Sequence, residues 1–168
     1  VVGSGVYEII ESHKENYKIS QDIYLEVVKV LDRTKEKAYK LGITDEKITS
    51  SIDDICNDPN VSIVVEVMGG CTAAKDYVLK ALSSKKSVVT SNKELYCKYG
   101  YLLEAEAKKN GVGLYYEATV AGGIPIIRTL LDNLQGNNIK SILGIINGTT
   151  TYILSKMMND GITYDDAL

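Results

Sequence analysis

The sequence predicts an α/β fold built on a doubly wound parallel sheet. Short apolar segments alternate with helical patterns of about 10 to 15 residues, which is the rhythm of βαβ units. Several of the apolar segments end in glycine or small polar residues, as strands do at the carboxyl edge of a parallel sheet. With 168 residues, 45% of them hydrophobic and 24% charged, the chain can bury a core and form one domain, or one domain and part of another.

The first part of the chain predicts a helix, a strand and a second helix. The first helix carries one buried stripe, at the i, i+3, i+4, i+7 positions Val6, Ile9, Ile10 and His13. Residues 23–31 predict a strand, and the charged residues 33–40 predict a solvated helix that Gly42 ends. We interpret His13 as a residue of the helix face and assign it no chemical role.

The middle of the chain contains the most apolar strand candidate. Residues 61–68 are rich in β-branched residues, which is typical of a parallel strand covered on both faces. Gly69 and Gly70 then predict a tight turn. The helix that follows has apolar positions spaced 0, 4, 7 and 8: Ala74, Val78, Ala81 and Leu82. Residues 87–90 predict another short strand.

The same alternation continues toward the C-terminus. A helix around residues 102–109 leads through Gly111 to a strand at 112–117, and a turn with two glycines follows. The next helix has apolar residues on one face, at Ile127, Leu130, Leu131 and Leu134.

The end of the chain predicts a strand at residues 139–146 and a helix at 149–158 that Gly161 closes. The strand–turn–helix rhythm changes near residue 118. We therefore expect two domains, at residues 1–118 and 119–168.

Composition excludes several classes of function. The net charge of −3 offers no broad basic surface to nucleic acid or to an anionic membrane. No segment approaches the roughly 18 consecutive apolar residues of a membrane span. The odd number of cysteines, without CxxC spacing, favours free thiols in a reducing compartment, so we expect a cytoplasmic protein: Cys56, Cys71 and Cys97.

Two places near the N-terminus are candidates for binding a dinucleotide. Gly3 opens a helix, as the third glycine of a G-x-G-x-x-G turn does, although most glycines at helix starts are structural. Asp32 ends the second predicted element and could hold a ribose diol. Arg33, with Lys35 and Lys37, could instead meet a 2′-phosphate, or simply begin a solvated helix.

Two further candidates follow the central strands. Met68, Gly69 and Gly70 come after the most apolar strand, where two glycines let a ligand approach the backbone closely, or merely make a turn. The next strand ends in Thr90-Ser91-Asn92, and Lys93 then places a cation where a nicotinamide would lie. A lone lysine is otherwise a solvated surface charge.

Two turns in the last third could bind other ligands. Glu117 precedes an irregular turn whose carbonyl oxygens could form an all-oxygen cation site, or a plain loop before a helix that begins at Pro125. Asn147, or a threonine after it, could cap the last helix. Its backbone N–H groups could also hold a substrate carboxylate.

Four segments, in order, resemble the homoserine dehydrogenase family and span nearly the whole chain. They are VVGSGVYE (1–8), VVEVMGG (64–70), VVTSNKE (88–94) with YEATVAGGIPIIRTL (116–130), and GIINGTTTYIL (144–154). The resemblance implies a Rossmann-type doubly wound parallel sheet, followed by the start of an α+β catalytic and dimerisation domain. It also implies NAD(P)-dependent interconversion of L-homoserine and L-aspartate 4-semialdehyde, in threonine and methionine biosynthesis, by a cytoplasmic homodimer.

The resemblance also implies site residues. The pyrophosphate would meet Val1, Val2 and Gly3. The cofactor's ribose and nicotinamide end would meet Met68, Gly69, Gly70, Thr90, Asn92 and Lys93. A sodium or other monovalent cation would bind Glu117 and the carbonyls of Val120, Gly122 and Ile124. Homoserine would meet Gly148 and Thr149. Lys93 is the candidate catalytic residue, since its positive charge would lie near the reacting oxygen.

Both termini resemble cuts through folded structure, so we expect a fragment that is inactive alone. Two alternatives stay open from the residues themselves. One is another NAD(P)-dependent small-molecule dehydrogenase, which would lack the turn at 117–124. The other is a nucleotide-binding module without catalysis.

Overall fold

Parallel strands and helices alternate through the first two thirds of the chain in the computed structural model, which describes residues 1–145 and 147–168. The chain divides into an N-terminal unit, Val1–Tyr115, and a C-terminal unit, Tyr116–Leu168. The N-terminal unit contains α1 (Val2–Gln21), β1 (Val30–Leu31), α2 (Glu36–Lys40), β2 (Ile48–Thr49), α3 (Ile52–Cys56), β3 (Ile63–Glu66), α4 (Thr72–Ser83), β4 (Ser87–Thr90), α5 (Lys93–Asn110) and β5 (Leu114–Tyr115).

The strands of the N-terminal unit form two parallel sheets. β1 pairs with β2, and β3, β4 and β5 form a three-stranded sheet in sequence order. Val88 of β4 lies opposite Val64 of β3 and Leu114 of β5. The α/β class and the parallel strands predicted from the sequence are confirmed.

The main core lies on one face of the three-stranded sheet, where α4 packs against α5. Its buried residues come chiefly from α4, β4 and α5: Cys56, Ala74, Val78, Ala81, Leu82, Val88, Leu95, Leu103 and Ala107. Successive right-handed crossovers that progress in one direction place their helices on the same face. That is why α4 and α5 share this core.

The expectation that the 61–68 strand is covered on both faces is wrong. Ile63 and Val65 are 51% and 40% exposed, whereas Glu66 is buried. Val64 packs against the core on the α4–α5 face. Because side chains alternate along a strand, the same-face placement of α4 and α5 leaves Ile63 and Val65 on the open side.

The first helix is longer than predicted and packs by a stripe that only partly matches the prediction. α1 has no fully buried residue, Ile9 is 54% exposed, and His13 is also exposed. Tyr7 instead packs against a small core of Ala38, Ile43 and Ile48. Val6 and Ile10 are half-buried whereas Ile9 and His13 are exposed, so the predicted stripe is only partly correct.

Several element bounds also differ from prediction. The strand expected at 23–31 is formed only at Val30–Leu31, and β2 and α3 were not predicted. α5 begins at Lys93, well before residue 102, because the Asn92 side chain accepts the Leu95 N–H at 3.0 Å and caps the helix. Gly42 and Gly111 have positive φ where α2 and α5 end, as predicted.

The C-terminal unit has little regular structure before its last helices. A 3₁₀ turn covers Glu117–Thr119, a π-helix covers Thr129–Asn133, and two helices follow, α6 (Gly148–Asp160) and α7 (Tyr164–Ala167). α6 agrees with the predicted helix and ends at Gly161 with φ 67°.

The strand predicted at 139–146 is absent over residues 139–145, and Ile146 lies outside the described residues. Several of its side chains are open to solvent, among them Leu143 and Ile145. An apolar pattern without a neighbouring strand does not form a ladder. Over the described parts of both units, no helix has the length and hydropathy needed to cross a membrane.

Candidate dinucleotide site

The carboxyl edge of the three-stranded sheet brings two predicted segments together. Glu66 of β3 lies opposite Thr90 of β4, so the loops that follow these strands leave the sheet at the same level. One loop contains Met68, Gly69 and Gly70, and the other leads through Asn92 into α5. Ligands of open parallel sheets bind at such an edge.

The loop after β3 leaves its backbone accessible. A Cβ atom at Gly69 or Gly70 would meet nothing within 4 Å in the described parts of the chain. Gly70 has φ +73°, which L-residues rarely adopt. The double glycine therefore allows both the turn and the close approach of a ligand.

The start of α1 lies near the same strand. A Cβ at Gly3 would lie 3.3 Å from the Cγ2 of Val67, so glycine allows the helix to pack closely on the chain that leaves β3. Val1 makes no side-chain cap and the first turn has no acidic residue. Backbone N–H groups in the first turn of a helix favour an anion such as a pyrophosphate, which is the contact predicted for Val2 and Gly3.

A buried polar cluster lies behind the two loops. Thr90 is fully buried and Asn92 is 8% exposed, and both contact the buried carboxylate of Glu66. Sequence reasoning singled out Thr90 and Asn92 but missed Glu66. The signal was available, since Glu66 is the one charged residue between Val61 and Met68.

Lys93 is the first residue of α5 and is exposed. Its ammonium makes no ion pair or hydrogen bond with the described residues 1–145 and 147–168. A cation at a helix N-terminus opposes the helix dipole and costs about 0.3–1 kcal/mol. An unpaired lysine at this position is therefore unfavourable for stability and suited to meet an anionic or electron-rich ligand.

A small charged cluster flanks Gly70. The Lys98 ammonium lies 2.5 Å from the Glu94 carboxylate and 3.7 Å from the Cys71 sulfur, and Cys71 donates to Glu94 at 3.4 Å. The hydrogen bond from Lys98, then the one from Cys71, lowers the pKa of Glu94. The same bond to Glu94 raises the pKa of Lys98.

Asp32 and Arg33 follow β1 in the other sheet of this unit. Asp32 Oδ1 accepts the Thr34 N–H at 3.0 Å and the Thr34 hydroxyl at 3.2 Å, which leaves its second oxygen without a hydrogen bond from the described residues. Lys35 is paired with Asp45 at 2.9 Å. Arg33 is exposed and makes no ion pair within the described ranges, so it is better placed than Lys35 to meet a phosphate.

Glu117, in the C-terminal unit, organises a turn. Its carboxylate accepts three successive backbone N–H groups, from Ile126 at 2.6 Å, Arg128 at 2.8 Å and Ile127 at 2.9 Å. Desolvation raises the pKa of Glu117, but the three N–H groups outweigh it and the pKa is lowered overall. This contact was missed from the sequence.

The predicted cation ligands lie in the same turn. The carbonyl oxygens of Val120, Gly122 and Ile124 accept no hydrogen bond from residues 1–145 or 147–168. A carboxylate has about four lone-pair sites, so Glu117 keeps about one beyond its three N–H bonds. Carbonyl and carboxylate oxygens are hard ligands, the type that hard cations take.

The predicted substrate contacts lie at the start of α6. Asn147 caps the helix, since its Oδ1 accepts the Thr150 N–H at 3.0 Å. The capping role expected for Asn147 is confirmed. Gly148 and Thr149 form the exposed first turn of that helix.

Comparison with known families agrees with this geometry. The family model "Homoserine dehydrogenase, NAD binding domain" matches residues 1–117, and the model "Homoserine dehydrogenase" matches residues 125–168. The chain belongs to the homoserine dehydrogenase family. The resemblance found in the four sequence segments is thereby confirmed.

Individual members of the family cover almost all of the chain. The homoserine dehydrogenase of Bacillus subtilis is 44% identical over 99% of this chain, and that of Synechocystis is 40% identical over the same share. The chain spans about 39% of the length of the first relative and 38% of the second.

Solved structures of the family share the fold. A homoserine dehydrogenase from Thiobacillus denitrificans superposes with a TM-score of 0.89 at 39% identity, covering 99% of this chain and 38% of that one. A hyperthermophilic archaeal homoserine dehydrogenase in complex with NADPH has a TM-score of 0.79 at 34% identity, covering 98% of this chain and 55% of the other. The Rossmann-type fold predicted from the sequence is confirmed.

Proposed function

We propose that the protein is an NAD(P)-dependent homoserine dehydrogenase and that this chain carries its dinucleotide site. The observation that carries the proposal is the shared edge of β3 and β4, where two loops leave the sheet next to the start of α1 and offer backbone groups to a ligand. Its substrates would be L-homoserine and L-aspartate 4-semialdehyde. We also propose a cytoplasmic homodimer, with a domain boundary between residues 118 and 119.

The chemistry divides between cofactor and protein. The nicotinamide of NAD(P) would supply hydride transfer to or from the alcohol carbon of homoserine, while the hydroxyl proton would pass to a general base or to water. The N–H groups of Val2 and Gly3 would hold the pyrophosphate, and Met68, Gly69 and Gly70 would meet the ribose and nicotinamide. Thr90 and Asn92 would support the Met68–Gly70 loop from the side that faces the protein interior.

Lys93 would act by charge. Its ammonium has no partner among the described residues, so it can stabilise negative charge that develops on the substrate oxygen. Gly148 and Thr149 of the C-terminal unit would hold homoserine through helix N-terminal N–H groups.

The end of β1 carries one side chain suited to each coenzyme. Asp32 keeps one oxygen for the ribose diol of NAD, whereas Arg33 supplies a cation for the 2′-phosphate of NADP. Both coenzymes are compatible with these two side chains. Titration of the protein with NADH and NADPH measures the preference directly.

Substitution of Lys93 tests the proposal. In the protein that its gene encodes, Lys93→Ala should lower kcat/KM about 10- to 1000-fold, the range for losing one charge-stabilising contact. Lys93→Arg should restore little activity, because a planar fork replaces a compact charge. If Lys93 is only a solvated surface lysine, activity should be nearly unchanged in both variants.

A matched control lies at the other end of the same helix. Lys108 is exposed in the last turn of α5, so Lys108→Ala should leave kcat/KM within about twofold. By the helix dipole, Lys93→Ala should keep or slightly raise the melting temperature and Lys108→Ala should keep or slightly lower it. Activity of Lys93→Ala equal to that of Lys108→Ala would reject the role of Lys93.

The cation site has its own test. We propose that sodium or another monovalent cation binds Glu117 and the carbonyls of Val120, Gly122 and Ile124. Glu117→Ala should weaken the dependence of activity on sodium or potassium, and it should also weaken binding of the probe ion thallium(I), measured by NMR. An unchanged cation response in both measurements removes the site.

A further inference from the structure

A buried network at the carboxyl edge of the sheet joins Glu66, Thr90 and Asn92, and we call it the Glu66 network. The three residues are 4%, 0% and 8% exposed. A charged side chain is rarely this buried without compensation, because removing a carboxylate from water is costly. The hydrogen-bond donors around the Glu66 carboxylate therefore indicate its structural role.

The Glu66 carboxylate accepts from three donors: one on the loop after β3, one at the end of β4 and one on the loop after β4. Oε1 accepts the Met68 N–H at 2.7 Å and, more weakly, the Asn92 Nδ2–H at 3.4 Å. Oε2 accepts the Thr90 hydroxyl at 2.5 Å. An ionised carboxylate only accepts hydrogen bonds, so a set made wholly of donors matches it and would not match an amide equally well.

Asn92 extends the network to the double-glycine loop. Its Nδ2 donates to the Gly70 carbonyl at 2.6 Å, and its backbone N–H donates to Thr90 Oγ1 at 3.0 Å. Its Oδ1 caps α5. One carboxylate and one amide thus connect the chain leaving β3 with the chain leaving β4.

We propose that Glu66 is a positioning residue for the dinucleotide: through Thr90 and Asn92 it fixes the Met68–Gly70 loop in the geometry that receives the cofactor. This inference rests on the proposed function. Glu66 lies behind the loops and acts through Met68 and Asn92. A loop held in its binding geometry loses less conformational entropy when the ligand arrives, and the affinity rises accordingly.

The network is separable from the forces that hold the sheet. β3 and β4 pair along Ile63–Glu66, and Val64 and Val88 pack in the apolar core on the same face. The partners of Glu66 lie mostly beyond the strands. Removing the carboxylate should therefore loosen the loops before it separates β3 from β4.

Three variants test the proposal in the gene-encoded protein. Glu66→Gln keeps the size of the side chain but turns an NH₂ donor toward either the Met68 N–H or the Thr90 hydroxyl, which are donors themselves. Glu66→Asp keeps the charge but is too short to reach both groups. The control is Val64→Ala, which weakens the same strand without touching either loop. NADPH affinity is measured by fluorescence titration, and stability by thermal unfolding.

Both Glu66 variants and Val64→Ala should lower the melting temperature, but only the Glu66 variants should change the affinity for NADPH. Both Glu66 variants should raise the Kd for NADPH about 10- to 100-fold, the effect of leaving a few loop residues to be ordered on binding. Val64→Ala should lower the melting temperature and leave the Kd unchanged. Equal Kd values in Glu66→Gln and the unchanged protein would overturn the proposal.

Hydrogen exchange without cofactor measures the ordering itself. The backbone N–H groups of Met68 and Asn92 should exchange faster in Glu66→Gln and at their original rates in Val64→Ala. Faster exchange with an unchanged Kd would show a purely structural network and reject the positioning role. If the unchanged protein binds neither NADPH nor NADH, the proposed function fails and the positioning role fails with it.

Discussion

Two glutamates of this chain, Glu66 and Glu117, each hold a loop by accepting backbone N–H groups, but they do so in different surroundings. Glu66 is buried and shares its carboxylate between one backbone N–H and the side chains of Thr90 and Asn92. Glu117 is half-buried and accepts backbone N–H groups alone, from residues 126–128.

The two glutamates differ in whether water can replace the carboxylate as the hydrogen-bond acceptor for its donors. When the Glu66 carboxylate is lost, its donors stay buried and unsatisfied, whereas the donors around Glu117 can turn to solvent. The same type of contact therefore supports global stability in the N-terminal unit and only local order in the C-terminal unit.

Replacing each carboxylate by leucine gives the largest expected contrast. Glu66→Leu should lower the free energy of unfolding by about 2–4 kcal/mol, because it strands buried donors. Glu117→Leu should leave the urea midpoint almost unchanged. Equal shifts of the two midpoints in urea denaturation would remove the contrast.

The two asparagines that cap helices, Asn92 of α5 and Asn147 of α6, give a second contrast between the units, with smaller expected losses of stability. Asn92→Ala should cost about 1–2 kcal/mol, since it removes a buried cap and the bond to Gly70. Asn147→Ala should cost about 0.5–1 kcal/mol, because its cap is exposed. Denaturant titration followed by circular dichroism measures both, and a larger loss at Asn147 would contradict the assignment.

Two glycines with positive φ, one in each unit, allow a comparison at positions where an added Cβ atom would contact no other described residue. Gly70 and Gly123 have φ of +73° and +80°, and a Cβ at either would meet nothing within 4 Å in the described residues. Alanine at each should cost about 1–2 kcal/mol of backbone strain. Only Gly70→Ala should also weaken NADPH binding in a fluorescence titration. Weaker binding in both variants would indicate an effect that is not local to the candidate site.

The titration of Glu117 gives the smallest effect. Its pKa is lowered from 4.5 in the folded chain, so its contribution to the turn is complete above about pH 4.5 and lost as the pH falls through the lower folded value. The amide proton shifts of Ile126, Ile127 and Arg128 should titrate together there by NMR. In Glu117→Gln that shared transition should disappear, and its persistence would assign it to another group.

Sequence periodicity predicted the elements that bury a full stripe. α4 was predicted because Ala74, Val78, Ala81 and Leu82 fall on its single buried face. α1 was predicted as a helix, but its packed stripe was predicted only in part, since Tyr7 finds its partners in α2 and β2, remote in sequence. Local pattern fixes the type of an element more firmly than the identity of its neighbours.

The candidate site shows the same limit. Glycines and strand ends indicated the loops at 68–70 and 90–92, because backbone geometry is a local property. The role of Glu66 depends on Asn92, which is 26 residues away and is brought close only by the β3–β4 register. No periodicity in the sequence predicts the contact between Glu66 and Asn92.

The sequential order β3-β4-β5 has a kinetic consequence. Each strand pairs with the next one along the chain, at separations of about 25 residues, so closing each loop costs little entropy compared with a sheet of distant strands. This segment can therefore assemble progressively, one β-α-β step at a time, as the chain leaves the ribosome. Because Glu66 and Asn92 meet in the first of those steps, the loops behind the candidate site would be shaped early in folding.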